Sequence, residues 1–332
     1  MKKITILGGA GFIGHNLAIR LKSRGYQCQI VDSLEVNNLK AKKHTNVRNK
    51  SLFNKILYER FQLLKKSNID IIQTDLKKNN KFDKKIINFK PNIIIHLAAV
   101  SHASISNIDP EYTFDNSLIT LMNTLKIARK IKPHLIFFSS SMVYGNFNGK
   151  KVNENTKCSP IGIYGNLKLA GEMMVKSYSH VFGFPYTIIR PSALYGERCV
   201  SRRVGQIFIE NALQGLDLEI NGDGKEKLDF TYIEDLIHGI ECAISSKKSK
   251  NQTFNLTYGQ GRTMVDLIKI IKRNFPRIKV RFKKRDKLVP KRGGLNINKA
   301  KKLIGYKPDF PIEKGYQKYI NWYKKFYENS NL

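Results

Sequence analysis

A cluster of serine hydroxyls, followed by a tyrosine and a lysine, has the residue types and spacing for proton transfer. Three consecutive serines at 139–141 end an apolar run, and Tyr164 and Lys168 lie four residues apart further along the chain. On a helix, this spacing puts both side chains on one face. A nearby ammonium group lowers the pKa of a phenol from about 10 towards neutrality. The pair could then take a proton from a substrate hydroxyl that Ser140 helps to orient.

Three glycines near the start of the chain indicate a site for the phosphates of a nucleotide. Gly8, Gly11 and Gly14 lie three apart in GGAGFIG, between a strand-like run and a helix-like run. Without side chains, the backbone can approach a pyrophosphate closely. The first helical turn, at Phe12 and Ile13, offers free N–H groups and the positive end of the helix dipole. The segment therefore predicts a dinucleotide site.

Two acidic residues after later strand-like runs refine that prediction. Asp32 ends the second run, in QIVDS, where a carboxylate accepts hydrogen bonds from ribose hydroxyls and repels a 2′-phosphate. NAD(H) is therefore favoured over NADP(H). Asp75 and Leu76, in TDL after the third run, are expected at the adenine edge. An exposed loop aspartate without a ligand is the alternative interpretation of Asp75.

The elements that must position these residues alternate along the first 190 residues. Short β-rich runs are separated by longer amphipathic segments, which predicts an α/β fold with a doubly wound parallel sheet covered on both faces. Ligands of such sheets bind beyond the carboxyl ends of the strands. The expected strands are 4–7, 27–31, 69–73, 93–97, 135–139 and 186–189, and the expected helices include 12–24, 116–130, 165–181 and a tail around 316–327.

The region from residue 195 onward has a looser pattern with glycine-rich turns such as NGDG. It predicts a second, smaller domain. We expect residues 1–190 with about 231–260 to form the NAD-binding domain. Residues 191–230 with 261–332 would form a C-terminal substrate domain.

The charge balance is strongly basic: 59 Lys and Arg against 26 Asp and Glu among 332 residues give a formal net charge of +33. Such a charge permits nucleic-acid binding. However, the basic residues are spread along the chain without a recognisable nucleic-acid module, so we interpret them as a solvated surface and do not expect nucleic acid as a partner. The positive field would attract an anionic substrate such as a sugar diphosphate.

Cysteine spacing and hydropathy exclude other classes of site. The four cysteines lie far apart with no CxxC pair, which favours reduced thiols and no metal centre. No apolar run approaches the length of a membrane span. Glycines interrupt the apolar start of the chain, which argues against a secretion signal. We therefore expect a cytoplasmic protein without a membrane partner.

Together these segments resemble the extended short-chain dehydrogenase/reductases, specifically the NAD-dependent sugar-nucleotide epimerase/dehydratase group. The resemblance implies a Rossmann-type fold, an NAD cofactor and a nucleotide-diphosphate sugar as substrate. It extends over nearly the whole chain through ordered matches, namely GGAGFIG, Asp32, TDL, HLAA, SSSMVYG, YGNLK, RPSALYG, GDGKEKLDFTYIEDL and KAKKLIGYKP.

The resemblance also implies roles for individual residues. The catalytic set of the family falls on Tyr164, Lys168 and Ser140, and Tyr164 and Lys168 also contact the cofactor. Asn116 resembles the asparagine that supports the active-site helix. Residues of HLAA would line the nicotinamide pocket, namely Leu97, Ala98 and Ala99. Residues that would contact the sugar nucleotide are Ser101, His102, Ser141, Arg198 and Arg292.

The two residues after Ser140 narrow the expected reaction. Related dehydratases place an Asp and a Glu there, because removing water requires proton transfer at two neighbouring carbons. This chain has Ser141 and Met142, and a thioether cannot transfer protons. Epimerisation, most simply at C4, needs neither acid. The alternative enzyme reactions are epimerisation at another carbon, and net 4-oxidation or 4-keto reduction with NAD(H) turnover. A more remote alternative is a protein without catalytic activity that binds a dinucleotide or a nucleic acid.

Two positions depart from the family pattern. Leu228 stands where an arginine commonly binds the diphosphate, and Ala193 stands where an asparagine often lies near the substrate. A forked guanidinium suits phosphate, so another arginine could supply the contact. The candidates are Arg198, Arg202, Arg203 and Arg292, of which Arg198 and Arg292 lie in family-like contexts.

Assembly is also implied by the resemblance. In this family, the helix carrying YxxxK and the helix before the serine strand pack against a second subunit as a four-helix bundle. The corresponding segments here are 165–181 and 116–130. We therefore expect a homodimer.

Overall fold

The structure, a computed structural model, describes residues 2–41, 49–78, 82–285 and 289–328. Seven of its strands form one sheet, in which every neighbouring pair is parallel. The strands are β1 (Lys3–Leu7), β2 (Gln27–Asp32), β3 (Asp70–Gln73), β4 (Ile93–His96), β5 (His134–Phe138), β6 (Tyr186–Arg190), β7 (Leu194–Tyr195), β8 (Leu218–Asn221), β9 (Lys227–Asp229), β10 (Thr231–Tyr232), β11 (Gln252–Asn255), β12 (Gly261–Thr263) and β13 (Val280–Lys283).

Helices follow most of the strands. They are α1 (Phe12–Ser23), α2 (Lys50–Lys66), α3 (Phe82–Phe89), α4 (Ala103–Ile108), α5 (Pro110–Phe114), α6 (Thr120–Ile131), α7 (Ile163–Phe182), α8 (Val204–Leu213), α9 (Ile233–Ser245), α10 (Met264–Asn274), α11 (Asn298–Ile304) and α12 (Ile312–Glu328). A π-helical turn at Asp115–Ile119 and a 3₁₀ turn at Ser141–Tyr144 lie beside the expected catalytic residues. None of the helices in the described ranges has the length and apolar content that spanning a bilayer requires.

The central sheet confirms the predicted Rossmann-type, doubly wound α/β fold. Its strand order is β11-β6-β5-β4-β1-β2-β3. The chain adds β2 and β3 on one side of β1, and then β4, β5, β6 and β11 on the other side. The direction therefore reverses between β1 and β4, which is the switch point where such sheets bind ligands. The sequence patterns predicted six of these strands and missed β11, a four-residue strand far from the others along the chain.

Alternate residues of the strands enter two separate cores. Ile136 and Phe138 of β5 pack on one face of the sheet with α1 and α9, whereas Leu135 and Phe137 pack on the other face with α6 and α7. These side chains are nearly completely buried. Burial on both faces explains why the strand is a continuous apolar run rather than an alternating one.

Short strand pairs and aromatic packing organise the later part of the chain. β7 pairs with β10 and β8 with β13, both in parallel, while β9 pairs with β12 in antiparallel. Tyr195 of β7 stacks on Tyr316 of α12, with ring centroids 4.0 Å apart. Because β7 precedes the 196–203 loop, this stacking anchors the start of the loop that borders the site described below.

Candidate active site

A cleft opens beyond the carboxyl ends of β1 and β4, at the switch point of the sheet. It brings together residues from α1, the ends of β2 and β4, the π-helical turn and the 196–203 loop. All of the residues expected to contact the cofactor, apart from Tyr164 and Lys168, line this cleft: Gly8, Gly11, Phe12, Ile13, Gly14, Asp32, Asp75, Leu76, Leu97, Ala98 and Ala99.

The floor of the cleft depends on Gly8. Its φ of +76° lies in the left-handed region, and a Cβ at this position would lie 2.7 Å from the backbone nitrogen of Ala98. Only glycine allows β1 and the segment after β4 to approach so closely. Gly11 then caps α1 without a side-chain hydrogen bond. The first-turn N–H groups of α1 therefore remain available to an anion in the cleft.

Asp32 closes the cleft at the end of β2. Its Oδ2 accepts from the N–H of Ala10 (2.9 Å) and its Oδ1 from the N–H of Leu34 (2.7 Å). Burial raises the pKa of this carboxyl, and these two N–H groups oppose the rise. The contacts fix the carboxylate against the glycine loop, and each oxygen keeps a lone pair for a ribose hydroxyl.

The donors and acceptors of the cleft fit a dinucleotide such as NAD. Uncapped N–H groups suit its pyrophosphate, Asp32 suits a ribose diol, and Gly8 leaves the central floor free of side chains. Thr120 also lines the cleft, and its hydroxyl donates to the carbonyl of Asn116 (2.9 Å). Asn116 itself lies in the π-helical turn, a distortion that is frequent at functional sites.

The three serines after β5 have different environments. Ser139 donates to Glu172 Oε1 (2.5 Å), and Glu172 forms a buried bidentate pair with Arg190 (2.8 and 2.6 Å). Ser139 is therefore occupied by a structural contact. Ser140 caps the 3₁₀ turn, where its Oγ accepts from the N–H of Met142 (3.2 Å), and its hydroxyl proton is directed towards Tyr164. The Oγ of Ser141 is buried without a hydrogen-bond partner in the described structure.

Tyr164 lies at the start of α7, beside Ser140. Gly165 permits this contact, since a Cβ there would lie 2.9 Å from the carbonyl oxygen of Met142. Burial raises the pKa of the Tyr164 phenol, whereas the charge of Arg203, a hydrogen bond with Ser140 and the charge of Arg292 oppose the rise. The end of the serine strand and the start of the tyrosine helix therefore meet, as the family resemblance implies for Ser140 and Tyr164.

The expected effect of Lys168 on Tyr164 needs a correction. The Lys168 Nζ lies 5.9 Å from the centroid of the Tyr164 ring and donates to the carbonyl of Phe138 (2.8 Å). Burial lowers the pKa of Lys168 to about 8, and the charge of Glu172 opposes this shift. The phenol pKa is raised rather than lowered, because burial of Tyr164 outweighs the nearby cations. In this geometry, Arg203 opposes the rise more strongly than any other group.

Of the two arginines expected to bind substrate, only Arg292 lies at the site. The positive charge of Arg292 opposes the rise in the pKa of Tyr164, and the charge of an ionised Tyr164 opposes the lowering of the Arg292 pKa by burial. The Arg292 Nε is buried without a hydrogen-bond partner in the described structure. Arg198 instead donates to His15 Nε2 (3.1 Å), Asn16 Oδ1 (3.1 Å) and Glu59 Oε1 (3.4 Å). Its guanidinium is engaged by α1 and α2, which corrects the expected substrate contact.

Ser101 and His102 follow β4 at the mouth of the cleft. The carbonyl of Ser101 accepts from Arg203 Nη2 (3.1 Å), and Ser101 lines the cleft. His102 Nδ1 lies 2.7 Å from the Ser104 hydroxyl. Burial, followed by the charge of Arg203, lowers the pKa of His102.

Several cleft residues were not predicted from the sequence. Arg60 is 1% exposed and donates to the carbonyl of Arg198 from Nε (3.0 Å) and Nη2 (2.5 Å). No local pattern distinguishes it from the other basic residues of α2. Thr120 could have been found, since it lies one helical turn after Asn116. The additional lining residues are Ser33, Val36, Asn37, Arg60, Thr120, Leu194, Val200 and Ser201, whereas Arg203, which also lines the cleft, was among the arginines weighed for the diphosphate.

Comparison with known proteins agrees with this geometry. Residues 4–257 match the NAD dependent epimerase/dehydratase family. A Methanocaldococcus jannaschii protein with the provisional name UDP-glucose 4-epimerase is 32% identical over 329 residues, which are 97% of this chain and 98% of that protein. UDP-glucuronate 4-epimerase 4 of Arabidopsis thaliana is 26% identical over 98% of this chain and 76% of its own.

Solved structures lead to the same result. The crystal structure of UDP-glucuronic acid 4-epimerase from Bacillus cereus, in complex with UDP-glucuronic acid and NAD, has a TM-score of 0.88 and 26% sequence identity. The match covers 98% of this chain and 100% of that chain. Family, fold and cofactor were therefore predicted correctly, and the chain belongs to the NAD dependent epimerase/dehydratase family, an NAD-dependent enzyme family with a Rossmann-type fold.

Proposed function

We propose that the enzyme epimerises a nucleoside-diphosphate sugar at C4 through a transient 4-keto sugar. The observation that carries this proposal is the contact between Tyr164 and Ser140 above a dinucleotide cleft, followed by Met142 instead of an acid. The relatives named UDP-glucose and UDP-glucuronate 4-epimerases support the same reaction and make UDP the nucleotide to test first.

Tyr164 would remove the proton from the sugar 4-hydroxyl. When bound, NAD supplies a reversible hydride acceptor for C4. The contact with Met142 uses Ser140 Oγ only as an acceptor, so the hydroxyl proton that Ser140 directs towards Tyr164 would be donated to the same sugar oxygen once substrate is bound. Tyr164 returns the proton to that oxygen after the keto sugar has turned over.

Lys168 would stabilise the deprotonated form of Tyr164. Its ammonium group is held by the Phe138 carbonyl, within reach of the phenol ring. The burial that raises the pKa of Tyr164 removes water from the site, and a cation acts more strongly on a developing phenolate in such surroundings. Substrate binding that brings the sugar hydroxyl between Tyr164 and Ser140 would complete the arrangement.

Among the described residues, the two positions after Ser140 supply no second proton-transfer pair for dehydration. Ser141 and Met142 both lie buried in the 3₁₀ turn, and neither is a carboxylic acid. Turnover would therefore consist of oxidation, rotation of the keto sugar and reduction on the opposite face. We further propose that Ser141, Ser101, His102 and Arg292 contact the sugar nucleotide, because they surround Tyr164 and the cleft mouth.

The experiment is NMR observation of UDP-glucose, UDP-galactose and UDP-glucuronate with purified enzyme and no added NAD. We expect one of these sugars to equilibrate with its C4 epimer, because the cofactor would be regenerated in each cycle. Accumulation of a 4-keto product, limited by the amount of NAD added, would instead support the net dehydrogenase alternative. Unchanged spectra with all three would contradict the proposal.

We also propose a homodimer formed through the expected segments 165–181 and 116–130, with α4 and α5 beside them. Met173 and Val181 of α7 are 63% and 68% exposed, and Phe114 at the end of α5 is 45% exposed. Together with Ile108, which is 75% exposed, they leave an apolar face that a second subunit would cover. Light scattering should give twice the mass of one chain, and Met173→Lys should shift it towards the monomer. A monomeric wild-type protein would exclude the dimer.

The domain division stays a proposal with the predicted boundaries. It is supported by β11, a strand within the 231–260 segment that completes the central sheet beside β6. We expect limited proteolysis to cleave the chain first between residues 190 and 231, while the fragment that contains the central sheet stays folded. The cytoplasmic location stays a prediction.

A further inference from the structure

The 196–203 loop forms one wall of the dinucleotide cleft. Val200 and Ser201 of this loop line the same cleft as Gly11 of the glycine turn and Ala98 after β4. The loop is remote from both of those segments along the chain, so its position against them depends on tertiary contacts. A dinucleotide in the cleft would have this loop as one of its boundaries.

Arg198 fastens the loop to the first two helices of the chain. Its side chain donates to His15 and Asn16 of α1 and forms an ion pair with Glu59 of α2. In the opposite direction, Arg60 of α2 donates from Nε and Nη2 to the backbone carbonyl of Arg198. This one loop residue is therefore held through both its side chain and its main chain.

His15 continues this set of contacts into the glycine turn. Its Nδ1 lies 2.8 Å from the carbonyl oxygen of Gly11, and its Nε2 lies 3.1 Å from Arg198 Nε. A carbonyl only accepts and a guanidinium only donates, so His15 is neutral and carries its proton on Nδ1. Burial, followed by the charges of Arg60 and Arg198, lowers the pKa of His15 well below its usual value, which agrees with the neutral form. One imidazole therefore joins the loop to the turn that would bind the pyrophosphate.

The backbone of the loop depends on these contacts. Arg198 and Arg202 have φ angles of +62° and +50°, which lie in the left-handed region that non-glycine residues seldom adopt. Such a conformation costs free energy and persists only where the surrounding structure holds it. Loss of the Arg198 contacts should therefore let the loop move away from the cleft.

We propose that His15, Arg60 and Arg198 form a latch that holds the 196–203 loop against the cleft and so keeps NAD bound between turnovers. The inference rests on the proposed function, in which NAD is regenerated in each cycle and need not leave. Arg60 lines the cleft together with Asp32, and its charge acts on that carboxylate, so the latch lies at the ribose end. Arg198 is not among the described residues that line the cleft, so it acts through the loop as a positioning residue.

The test measures how fast the full-length enzyme releases NAD. The protein is loaded with radiolabelled NAD and then mixed with an excess of unlabelled NAD, with no sugar present. Arg198→Met removes all the side-chain contacts of the latch residue, whereas Arg198→Lys keeps the charge but can replace only part of the forked contact. The control is Arg20→Met, which removes the same charge from the same helix that carries His15, where Arg20 pairs with Glu241 of α9.

We expect Arg198→Met to release NAD faster than wild type by roughly tenfold or more, because it loses several hydrogen bonds of a charged group. Arg198→Lys should lie between Arg198→Met and wild type. Arg20→Met should stay within about twofold of wild type, since exposed ion pairs contribute little. Hydrogen exchange of segment 196–203, measured by mass spectrometry, should become faster in the same order, because a released loop exposes its amides.

Two results would overturn the inference. Unchanged exchange of the 196–203 segment in Arg198→Met would show that Arg198 does not hold the loop. Faster exchange with an unchanged rate of NAD release would show that the loop does not retain the cofactor. Thermal unfolding shows whether each variant folds, and Arg198→Lys decides by the same two measurements if Arg198→Met does not. Because no sugar is present, failure of the latch leaves C4 epimerisation standing, whereas failure to epimerise any sugar overturns the proposed function without changing these rates.

Discussion

The cofactor side and the substrate side of the cleft are built from different kinds of group. The cofactor side uses main-chain N–H groups of one short segment, 8–14, and a carboxylate at the end of the next strand. The proposed substrate side has side chains from four distant segments, represented by Ser140, Tyr164, Arg203 and Arg292. Main-chain groups present the same chemistry whatever the side chains are. Side chains can be exchanged one at a time, so this side can change its substrate while the cofactor side stays fixed.

The largest expected effect is that of Tyr164→Phe, which separates the two sides. Removing the phenol oxygen removes the group that takes the proton, and positioned proton-transfer groups contribute up to about 10⁴-fold. We expect kcat to fall by about that factor, while NAD stays bound because all of its expected contacts other than Tyr164 and Lys168 lie on the other side. Single-turnover kinetics measure the loss of rate, and the NAD content of the purified variant measures whether the cofactor stays bound. A variant with undiminished kcat would remove Tyr164 from the mechanism.

Ser140→Ala should have a smaller effect on the same side. The lost hydroxyl would orient the reacting oxygen, and loss of one such preorganised donor costs about 10²–10³-fold in kcat. Ser139→Ala serves as a comparison, because that hydroxyl donates to Glu172 instead. We expect Ser139→Ala to lower the thermal stability more than the rate. A large loss of kcat in Ser139→Ala, together with a mainly thermal effect in Ser140→Ala, would show that Ser139 rather than Ser140 orients the reacting oxygen.

Asp32→Asn tests the cofactor side. Replacing the carboxylate removes charge-assisted hydrogen bonds to ribose hydroxyls, which should weaken NAD binding by roughly ten- to a hundredfold. It should also reduce discrimination against NADP, since the charge that repels a 2′-phosphate is lost. With saturating NAD, kcat should stay near the wild-type value. A kcat defect that excess NAD does not relieve would show that the two sides are coupled.

The smallest expected effect is a pH dependence of stability from Asp229, which accepts from the N–H of Leu295, three residues after Arg292. Burial raises the pKa of this carboxyl to about 7, although the N–H of Leu295, the Thr257 hydroxyl and the N–H of Gly259 oppose the rise. The folded protein therefore binds a proton that the unfolded chain, with its pKa of 3.8, has released. The stability that this proton contributes is complete below pH 3.8 and is lost as the pH rises through about 7.

Thermal unfolding of wild type and Asp229→Asn between pH 5 and 8 measures this effect. The other titrating groups are common to both proteins, so we expect the melting temperature of wild type to fall relative to the variant as the pH rises. Parallel curves would show that Asp229 stays ionised when folded. Since Asp229 holds the segment at Leu295, next to Arg292, we expect substrate affinity to follow the same trend.

Much of the fold and part of the site could be predicted from local patterns. The strands from β1 to β6 and the glycine turn depend on short-range periodicity. The placement of Ser140 beside Tyr164, which lies 24 residues further along the chain, was instead implied by the family resemblance. β11 was missed because four residues with little apolar periodicity give no signal of their own. Its partner, β6, lies more than sixty residues earlier, and only pairing with that strand makes it part of the sheet.

The arginines show the limit of sequence reasoning most clearly. Arg198 and Arg203 lie five residues apart in one loop and have the same chemistry. The structure turns Arg198 towards α1 and α2 and Arg203 towards Tyr164. No periodicity encodes that choice, because it depends on left-handed backbone at Arg198 and Arg202 and on the acceptors that each side chain meets, Glu59 for Arg198 and the Ser101 carbonyl for Arg203.

The sequence by itself determined the dinucleotide cleft, the parallel sheet and the family, because these follow from backbone geometry and from side chains that are close along the chain. Only the tertiary structure decided which cations face Tyr164 and that burial raises its pKa rather than lowering it. Electrostatic effects depend on distance in space and on exclusion of water, and neither quantity exists until remote segments have packed together.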